Sequence, residues 1–169
     1  MEIKVKKIRE SAILPIYKTD GAAGFDLFAA EDVFIEPGET KRVPLGLAFE
    51  IPTGYVMYIM PRSGISFKSK LRQPNSVGVI DSDYRGEVQM MFENNENDNG
   101  KIPFGKCAID LQGQAVVTGN YYPTGTYVVR KGEAICQGII QKVEHALFVE
   151  SDKLSKTKRG TGGFGSTGV

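Results

Sequence analysis

Apolar and polar residues alternate along much of this chain in short runs. In the clearest run, Leu45, Leu47, Phe49 and Ile51 occupy every second position, which is the spacing of a strand with one buried face. Further strands are predicted where β-branched and aromatic residues concentrate, at residues 56–60, 86–92, 126–129 and 134–143. The one helix that the pattern predicts is short, residues 63–71, because a proline soon follows it.

Turn sequences separate these runs, and each contains the glycine or proline that favours a reversal of the chain. They are Pro37-Gly38, Pro52-Thr53-Gly54, Asn99-Gly100, Pro123-Thr124-Gly125 and Lys131-Gly132. Many short strands joined by such turns predict an all-β fold with one short helix, either a sandwich or a jelly-roll barrel.

Two parts of the chain differ in character from the rest. Residues 93–100 are polar and predict an exposed loop, whereas the following residues are rich enough in apolar side chains for an ordered subdomain. Residues 153–159 are basic and polar, and the residues that follow them are rich in glycine. We therefore predict one domain over residues 1–152, with 93–125 as an inserted subdomain, and a flexible C-terminal arm over 153–169.

Composition narrows the function classes. Apolar residues make up 41% and charged residues 24%, as in an ordinary soluble domain, and no run is apolar enough to span a membrane. The charged N-terminus lacks the core of a signal peptide, so we expect a cytoplasmic protein. A net charge of +1 gives no general nucleic-acid signature. Cys107 and Cys136 are the only cysteines and His145 is the only histidine, and the sequence pattern does not favour a zinc cluster, a Cys–His dyad or a Ser–His–Asp triad. Buried thiols are expected, and a disulfide stays open.

Residues 159–169 combine five glycines with groups that suit a nucleotide. Glycine lets the backbone approach a ligand closely, Arg159 offers a forked cation for phosphate, and Phe164 offers an aromatic face for a base. Ser166 and Thr167 add hydroxyl donors. The alternative interpretation is a disordered tail, since glycine- and serine-rich termini usually act as linkers.

Two further segments carry candidate chemistry. Arg62 and Ser63 open the predicted helix, whose free amides suit an anion, although a serine cap beside a surface arginine explains the same residues. Asp81 and Tyr84 lie within 78–86, at the tip of a predicted hairpin, where Asp81 is placed to take a proton from water. Ordinary turn chemistry also accounts for the aspartates there.

Two polar residues stand among apolar neighbours. Asp26 is predicted to be either a turn carboxylate or an acid near a metal ion. Gln137 interrupts the apolar stretch 135–140, so it lies either on the solvent face of a strand or in a site.

The order of these segments is more specific than any one of them. Taken along the chain, they resemble the five motifs of the homotrimeric dUTPase family. The matching segments are Asp26-Leu27, residues 61–64, residues 78–86, Gly132-Glu133 with Gln137, and residues 159–168. The resemblance runs from about residue 20 to the C-terminus and leaves out 93–125.

This resemblance implies a jelly-roll β-barrel that assembles as a C3 homotrimer, with the C-terminal arm exchanged between subunits. It implies a dUTP diphosphatase, which hydrolyses dUTP to dUMP and pyrophosphate with Mg2+ bridging the phosphates. Such an enzyme limits uracil incorporation into DNA and supplies dUMP for dTTP synthesis.

The resemblance also implies roles for single residues. Asp81 is similar to the carboxylate that activates water, Tyr84 to the residue that excludes a ribose 2′-hydroxyl, and Asp26 to the acid that meets Mg2+ through water. The residues implied for binding the base are Asn75, Gly78, Val79, Ile80 and Phe164. The residues implied for binding phosphate are Arg62, Ser63, Gly64, Gln137, Arg159, Gly163, Ser166 and Thr167.

The chain departs from the family pattern in two places. Many members carry Arg three residues before the fourth-motif Gln, where this chain has Ala134. The structural or catalytic role of that arginine is therefore either absent here or filled by another residue such as Arg130 or Lys131. The segment 93–125 resembles an extra region of some phage-encoded dUTPases, which also bind the repressor of a pathogenicity island. A repressor-binding surface and a plain surface excursion both remain open for it.

Other functions are weighed against this one. A regulatory protein that uses the dUTPase scaffold with little catalysis would have no need for Asp81. A dCTP deaminase shares the fold but does not fit the 81–84 motif and the glycine arm. Nucleic-acid binding by residues 153–159 is disfavoured because no aromatic residue lies within that run.

Overall fold

The computed structural model describes residues 1–96 and 104–163. Within these ranges the chain forms short strands and one short helix, α1 (Ser63–Lys68). The strands are β1 (Lys4–Lys7), β2 (Phe25–Phe28), β3 (Val33–Ile35), β4 (Thr40–Pro44), β5 (Leu47–Glu50), β6 (Tyr55–Pro61), β7 (Leu71–Arg72), β8 (Gly78–Ile80), β9 (Gln89–Asn94), β10 (Phe104–Ile109), β11 (Ala115–Pro123), β12 (Tyr127–Val129) and β13 (Ala134–Lys142). The predicted all-β fold with one short helix is confirmed.

Four small sheets make up the described part of the fold. Their strand orders are β1-β5, β11-β10-β12-β3, β2-β13-β6-β8 and β4-β9-β7. Most neighbouring strands run antiparallel, and β10 pairs with β12 in parallel at Ile109 and Tyr127. Because sequential strands are distributed over different sheets, distant parts of the chain meet at each sheet edge.

The core between the sheets contains the alternating run that the sequence singles out. Leu45, Leu47, Phe49 and Ile51 are all buried, although the intervening Ala48 is buried as well. Each fully buried large apolar side chain contributes about 2 kcal/mol to folding through removal from water. This run therefore anchors β5 against the rest of the core.

The predicted turns form where the sequence places them in the described residues. Gly54 and Gly125 adopt φ values of 83° and 93°, in the left-handed region that a side chain disfavours. Each follows a proline by two residues and closes a connection between strands. The Asn99-Gly100 turn lies outside the described residues.

Two predicted boundaries are wrong. Helix α1 ends at Lys68, because Ser69 is extended, with φ −134° and ψ 171°. Leu71 and Arg72 then form a strand that pairs with Asn94 and Glu93 of β9. The strand predicted from residue 86 begins only at Gln89, since the preceding residues form a turn and its exit.

The segment 93–125 is tied to the core at both described ends. Asn94 is fully buried, and its side-chain amide donates to the carbonyls of Ile35 and Gly125, each at 2.9 Å. Near the end of the β10 strand, Ala108 and Leu111 are buried as well. The β10–β11 hairpin therefore extends from a base that is packed into the domain.

Beyond β13 the described chain is mostly exposed and contains no strand or helix. Residues 144–161 are all exposed, including Leu147 at 89%, Phe148 at 92% and Val149 at 78%. Three consecutive apolar side chains exposed in this way are unusual for a chain with nothing packed against them. Among the described residues, no helix is long and apolar enough to cross a membrane.

Candidate active site

The end of β6 and the start of α1 position Arg62, Ser63 and Gly64. Arg62 has extended backbone angles, φ −79° and ψ 135°, and Ser63 is the first helical residue. Ile65 is buried and holds the helix against the core, while Ser63 and Gly64 are exposed. The serine-cap interpretation is wrong, because Arg62 occupies the cap position and the structure records no side-chain cap there.

Arg62 links the first, second and fourth motifs. Its Nε lies 3.5 Å from Asp26 Oδ1, and its Nη1 donates to the Ala134 carbonyl at 2.8 Å. Strand β13 brings these groups together, since it pairs with β2 on one edge and with β6 on the other. Position 134 is where many members of the family that the sequence resembles carry an arginine. In this chain the backbone carbonyl of Ala134 accepts a hydrogen bond from Arg62 at that position.

The two residues that the sequence offers as substitutes for that arginine are held in the turn before β13 by their backbone amides. The Arg130 amide donates to Glu133 Oε2 at 2.8 Å, and the Lys131 amide donates to Asp32 Oδ1 at 2.7 Å. Arg130 lines a different cavity, beside Phe34 and Tyr122. Arg62 is therefore the arginine that the described fold brings to the fourth motif.

Asp26 is 2% exposed, and its second carboxylate oxygen, Oδ2, has no hydrogen-bond partner among the described residues. An unsatisfied buried carboxylate oxygen is costly, which makes it a candidate for a ligand or ordered water. Burial raises the pKa of the neighbouring Cys136 thiol, and the Asp26 charge adds to this rise. Cys136 is also fully buried, as is typical of an unreactive structural thiol.

A cavity of about 370 Å³ brings together four of the predicted phosphate-binding residues, Arg62, Ser63, Gly64 and Gln137. Gln137 is exposed on β13 and lies in register with Asp26 on one side and Met60 on the other. The two alternatives for Gln137 thus both apply, because the solvent face of the strand is also a wall of the cavity.

The same cavity has a wall that sequence reasoning missed. Lys68 and Gln112 line it, and the Lys68 ammonium donates to the Gln112 side chain at 3.1 Å. Lys68 lies four residues after Gly64, so the two share a helix face, a signal that the sequence does carry. Gln112 comes from the segment 93–125, and no local pattern connects it to the second motif.

Glu133 lies at the edge of this cavity. Burial raises the pKa of its carboxyl, the hydrogen bond from the Arg130 amide opposes the rise, and the charges of Asp110 and Asp32 add to it. Its carboxylate holds the turn at residues 130–133 in place.

The third motif does not form the predicted hairpin. Strand β8 pairs with β6, whereas β9 pairs with β4 and β7, so residues 81–88 connect two sheets. Asp81 follows β8 directly and is exposed, as expected for a residue at a rigid strand end. The Tyr84 amide donates to the Asp81 carbonyl at 3.2 Å, which closes a tight turn.

Four of the five predicted base-binding residues, all except Phe164, lie on β8 and on the loop that precedes it. Gly78 packs closely on β6, since a Cβ there would lie 3.3 Å from the Ile59 Cβ. Val79 is 58% exposed on the opposite face, and Ile80 packs partly against the core. Asn75 is exposed in the loop, where its carbonyl accepts from the Val77 amide at 2.6 Å.

Tyr84 extends from the turn after Asp81 and is 43% exposed. Its hydroxyl donates to the Glu87 carbonyl at 3.1 Å. The ring folds over Gly86, where any side chain would collide with it. Asp81 and Tyr84 do not line the cavity that contains Arg62. Within one chain, the Asp81–Tyr84 turn is therefore separate from the predicted phosphate-binding residues.

The arm residues form local contacts only, as far as they are described. Arg159 Nε donates to the Gly162 carbonyl at 2.9 Å, and the Gly162 amide donates back to the Arg159 carbonyl at 3.1 Å. Gly163 is half-buried. The predicted residues Phe164, Ser166 and Thr167 lie outside the described residues.

Fold and site together define a class: a small β-sheet protein with an arginine-, serine- and glutamine-lined cavity suited to an anion. Comparison with protein families gives a match to the dUTPase family over residues 10–111 and 108–168. The chain therefore belongs to the dUTPase family.

Individual relatives support this membership along the whole chain. The deoxyuridine 5'-triphosphate nucleotidohydrolase of Nautilia profundicola is 41% identical over 168 residues, covering 99% of both chains. The enzyme of the same name from Helicobacter pylori strain 26695 is 36% identical over 169 residues, covering 100% of this chain and 98% of the relative. Such coverage leaves no room for a long insertion, so 93–125 has a counterpart in these bacterial proteins.

Solved structures of phage proteins share the fold. A mutant dUTPase of Staphylococcus bacteriophage 80alpha with dUpNHpp superposes with a TM-score of 0.91 at 29% identity, covering 99% of both chains. A mutant dUTPase of phage phi11 of S. aureus, described as coordinating a structural Mg(II) ion, superposes with a TM-score of 0.85 at 27% identity. It covers 92% of this chain and 100% of its own.

Proposed function

We propose that this protein is a cytoplasmic dUTP diphosphatase, which hydrolyses dUTP to dUMP and pyrophosphate and so keeps uracil out of DNA. The observation that carries the proposal is the cavity that gathers Arg62, Ser63, Gly64 and Gln137 from two motifs far apart in sequence. The curated relatives named for this activity, matching along the full chain, support it independently.

The cavity suits the triphosphate. Arg62 presents a forked cation, and the Ser63 hydroxyl and the exposed backbone at Gly64 add hydrogen-bond donors. Gln137 adds an amide from the adjoining strand. These groups bind phosphate oxygens and orient the α-phosphorus, which converts part of the binding energy into positioning.

The residues present fit a hydrated magnesium ion. The unpartnered, buried Oδ2 of Asp26 supplies a hard oxygen, and Mg2+ commonly uses one or two carboxylates together with waters and substrate phosphates. When bound, Mg2+ would neutralise the charge of the phosphates and of the leaving pyrophosphate. Asp26 would hold it through water, while the Arg62 guanidinium, 3.5 Å away, keeps Asp26 oriented.

Asp81 is the proposed general base. Its exposed carboxylate accepts a proton from a water molecule, whose oxygen then forms a bond to the α-phosphorus. The bond from the α-phosphorus to the bridging oxygen breaks, and pyrophosphate leaves with that oxygen. The strand end and the turn closed by the Tyr84 amide hold Asp81 in a fixed place for this step.

Selectivity for deoxyuridine is proposed to come from the third motif. Backbone groups of Gly78, Val79 and Ile80, with Asn75, read the edge of uracil. The Tyr84 ring packs under the deoxyribose and leaves no space for a 2′-hydroxyl. From the arm, Phe164 stacks on the base, and the phosphate contacts come from Arg159, Gly163, Ser166 and Thr167.

The first prediction concerns the substrate profile. With Mg2+ present, we expect rapid pyrophosphate release from dUTP, and kcat/KM values about a hundredfold lower for UTP, dCTP and dTTP. The physical reason is that the 2′-hydroxyl of UTP meets the Tyr84 ring, while a base with a reversed donor pattern meets the backbone groups that read uracil. A continuous pyrophosphate assay on the four nucleotides measures this. Equal turnover of UTP would contradict the role of Tyr84.

A dUTP-binding measurement and an ammonia assay on dCTP, run beside the pyrophosphate assay, separate the alternatives. Tight dUTP binding without turnover would indicate a regulatory protein on the dUTPase scaffold. Release of ammonia from dCTP would indicate a deaminase.

A second candidate role is binding of a pathogenicity-island repressor through the β10–β11 hairpin, where Val117 and Tyr121 are 81% and 65% exposed. Phage 80 dUTPase is described as having a SaPI-inducing capacity, which favours this role as an addition to catalysis.

We further propose a homotrimer in which the arm crosses to a neighbour. The exposed side chains of Leu147, Phe148 and Val149 need a cover, and an apolar cavity of about 430 Å³ provides one. That cavity is lined by Met1, Ile3, Val5, Leu14, Pro15, Tyr17, Phe25, Phe49 and Ile140. In such an assembly the Asp81 turn of one subunit and the Arg62 cavity of another complete one site.

The second prediction tests this assembly. Replacing both Leu147 and Phe148 with Ser is expected to convert the trimer to monomers, because about 2–3 kcal/mol of apolar burial per side chain is lost from each arm. Sedimentation velocity measures the mass, and a variant with Lys153 and Lys156 replaced by Ser serves as the matched control. Trimers of the Leu147→Ser, Phe148→Ser variant would contradict the proposed contact.

A further inference from the structure

A two-pronged ion pair lies behind the third motif. Arg9, from the loop after β1, bonds Glu87 through Nε to Oε1 at 2.6 Å and through Nη2 to Oε2 at 3.2 Å. A third contact joins Arg9 Nη1 to Glu31 at 2.7 Å. The Glu87 side chain is only 17% exposed, so this pair is shielded more than an ordinary surface pair.

The same carboxylate also fixes a second loop. Glu87 Oε1 accepts from the Gly46 amide at 3.0 Å, and the Gly46 carbonyl accepts from the Ile8 amide at 2.8 Å. Gly46 has φ 69°, and a Cβ there would lie 2.8 Å from the Ala12 Cβ. The segment 8–12, the loop at Gly46 and Glu87 itself are therefore packed together and have little freedom to shift.

Tyr84 depends on the backbone of that same residue. Its hydroxyl donates to the Glu87 carbonyl, and its ring occupies the space that Gly86 leaves open. A movement of Glu87 would carry the hydrogen-bond acceptor of Tyr84 with it. The side chain of Glu87 fixes the backbone, and the backbone fixes the tyrosine.

We infer that the Arg9–Glu87 ion pair is a positioning device for Tyr84 and thereby sets the discrimination between deoxyribose and ribose. This inference rests on the proposed function, in which Tyr84 packs under the sugar. Arg9 and Glu87 act through Tyr84 and need no contact with the nucleotide.

The test compares kcat/KM for dUTP and for UTP in the intact protein and in Glu87→Gln and Arg9→Met variants. We expect the dUTP-to-UTP ratio to fall about tenfold in each, because a small displacement of a positioning group is enough to weaken selectivity. The double variant should lose no more than the worse single variant, since both remove one interaction. Glu50→Gln, which removes the exposed Lys4–Glu50 pair, is the matched control and should keep the ratio.

The outcomes separate this inference from the proposed function. An intact protein that releases no pyrophosphate from dUTP would overturn the proposed function. An active protein whose Glu87→Gln and Arg9→Met variants melt at lower temperature but keep the ratio would overturn the positioning role, because a structural role alone slows both substrates equally. If Glu87→Gln does not fold, Arg9→Lys answers the question: it keeps the charge, loses the fork and should lower the ratio.

Discussion

Replacing Asp81 with Asn is expected to lower kcat for dUTP by about a thousandfold while leaving nucleotide binding nearly unchanged. Asparagine has almost the same size and still accepts a hydrogen bond from water. It cannot take the proton, so the attacking oxygen stays a poor nucleophile. Single-turnover pyrophosphate release, together with a binding isotherm for a non-hydrolysable dUTP analogue, measures the two effects separately.

The surroundings of Asp81 explain why the effect should be confined to catalysis. The carboxylate is exposed and has no hydrogen-bond partner among the described residues, so its loss leaves no buried group unsatisfied. The turn is held instead by backbone, through the Tyr84 amide and the Asp81 carbonyl. The melting temperature of Asp81→Asn should therefore match that of the unmodified protein.

Asp83 offers a matched control for this prediction. It lies two residues away on the same turn and is also exposed, so Asp83→Asn removes the same charge from nearly the same place. We expect Asp83→Asn to keep most of its turnover. If both variants lost turnover equally, the effect would come from the charge of the turn, and Asp81 would not be the base.

The parts of the fold that were predictable from sequence depend on local signals. Alternation at residues 45–51 identified a buried strand, and glycines after prolines identified the turns. The hairpin predicted at residues 78–86 is wrong because the apolar triplet there indicates a strand without indicating which strand it pairs with. Whether β8 pairs with β6 or β9 is decided by packing, such as the close contact of Gly78 with Ile59.

The candidate site shows the same division. Arg62, Ser63 and Gly64 could be predicted together because they are adjacent, and the family resemblance added Gln137 to them. Gln112 could not be predicted, because its place beside Lys68 follows from how the β10–β11 segment packs into the domain.

Arg9 and Glu87 are 78 residues apart, and in sequence each resembles an ordinary surface charge. Long-range pairs of this kind become visible only once the sheets are assembled.

Removing residues 160–169 is expected to leave a folded trimer whose kcat/KM for dUTP falls about a hundredfold. The trimer should persist because Leu147 and Phe148, the proposed contacts between subunits, lie before the cut. Turnover should fall because the truncation removes the aromatic ring and hydroxyl donors proposed to cover the nucleotide, and closure of such a cover excludes water and strengthens the remaining contacts.

The comparison that decides this prediction pairs the truncation with Arg159→Ala in the full-length chain. Truncation keeps the arginine but frees it from the Gly162 carbonyl, which now accepts from its Nε at 2.9 Å. If the arm acts as a lid, both variants lose turnover and both sediment as trimers, and the truncated enzyme is the more sensitive to added salt because its phosphate contacts are exposed to water. Full turnover after truncation would show that the glycine-rich segment is an ordinary linker. Dissociation after truncation would place the contact between subunits later in the chain than Phe148.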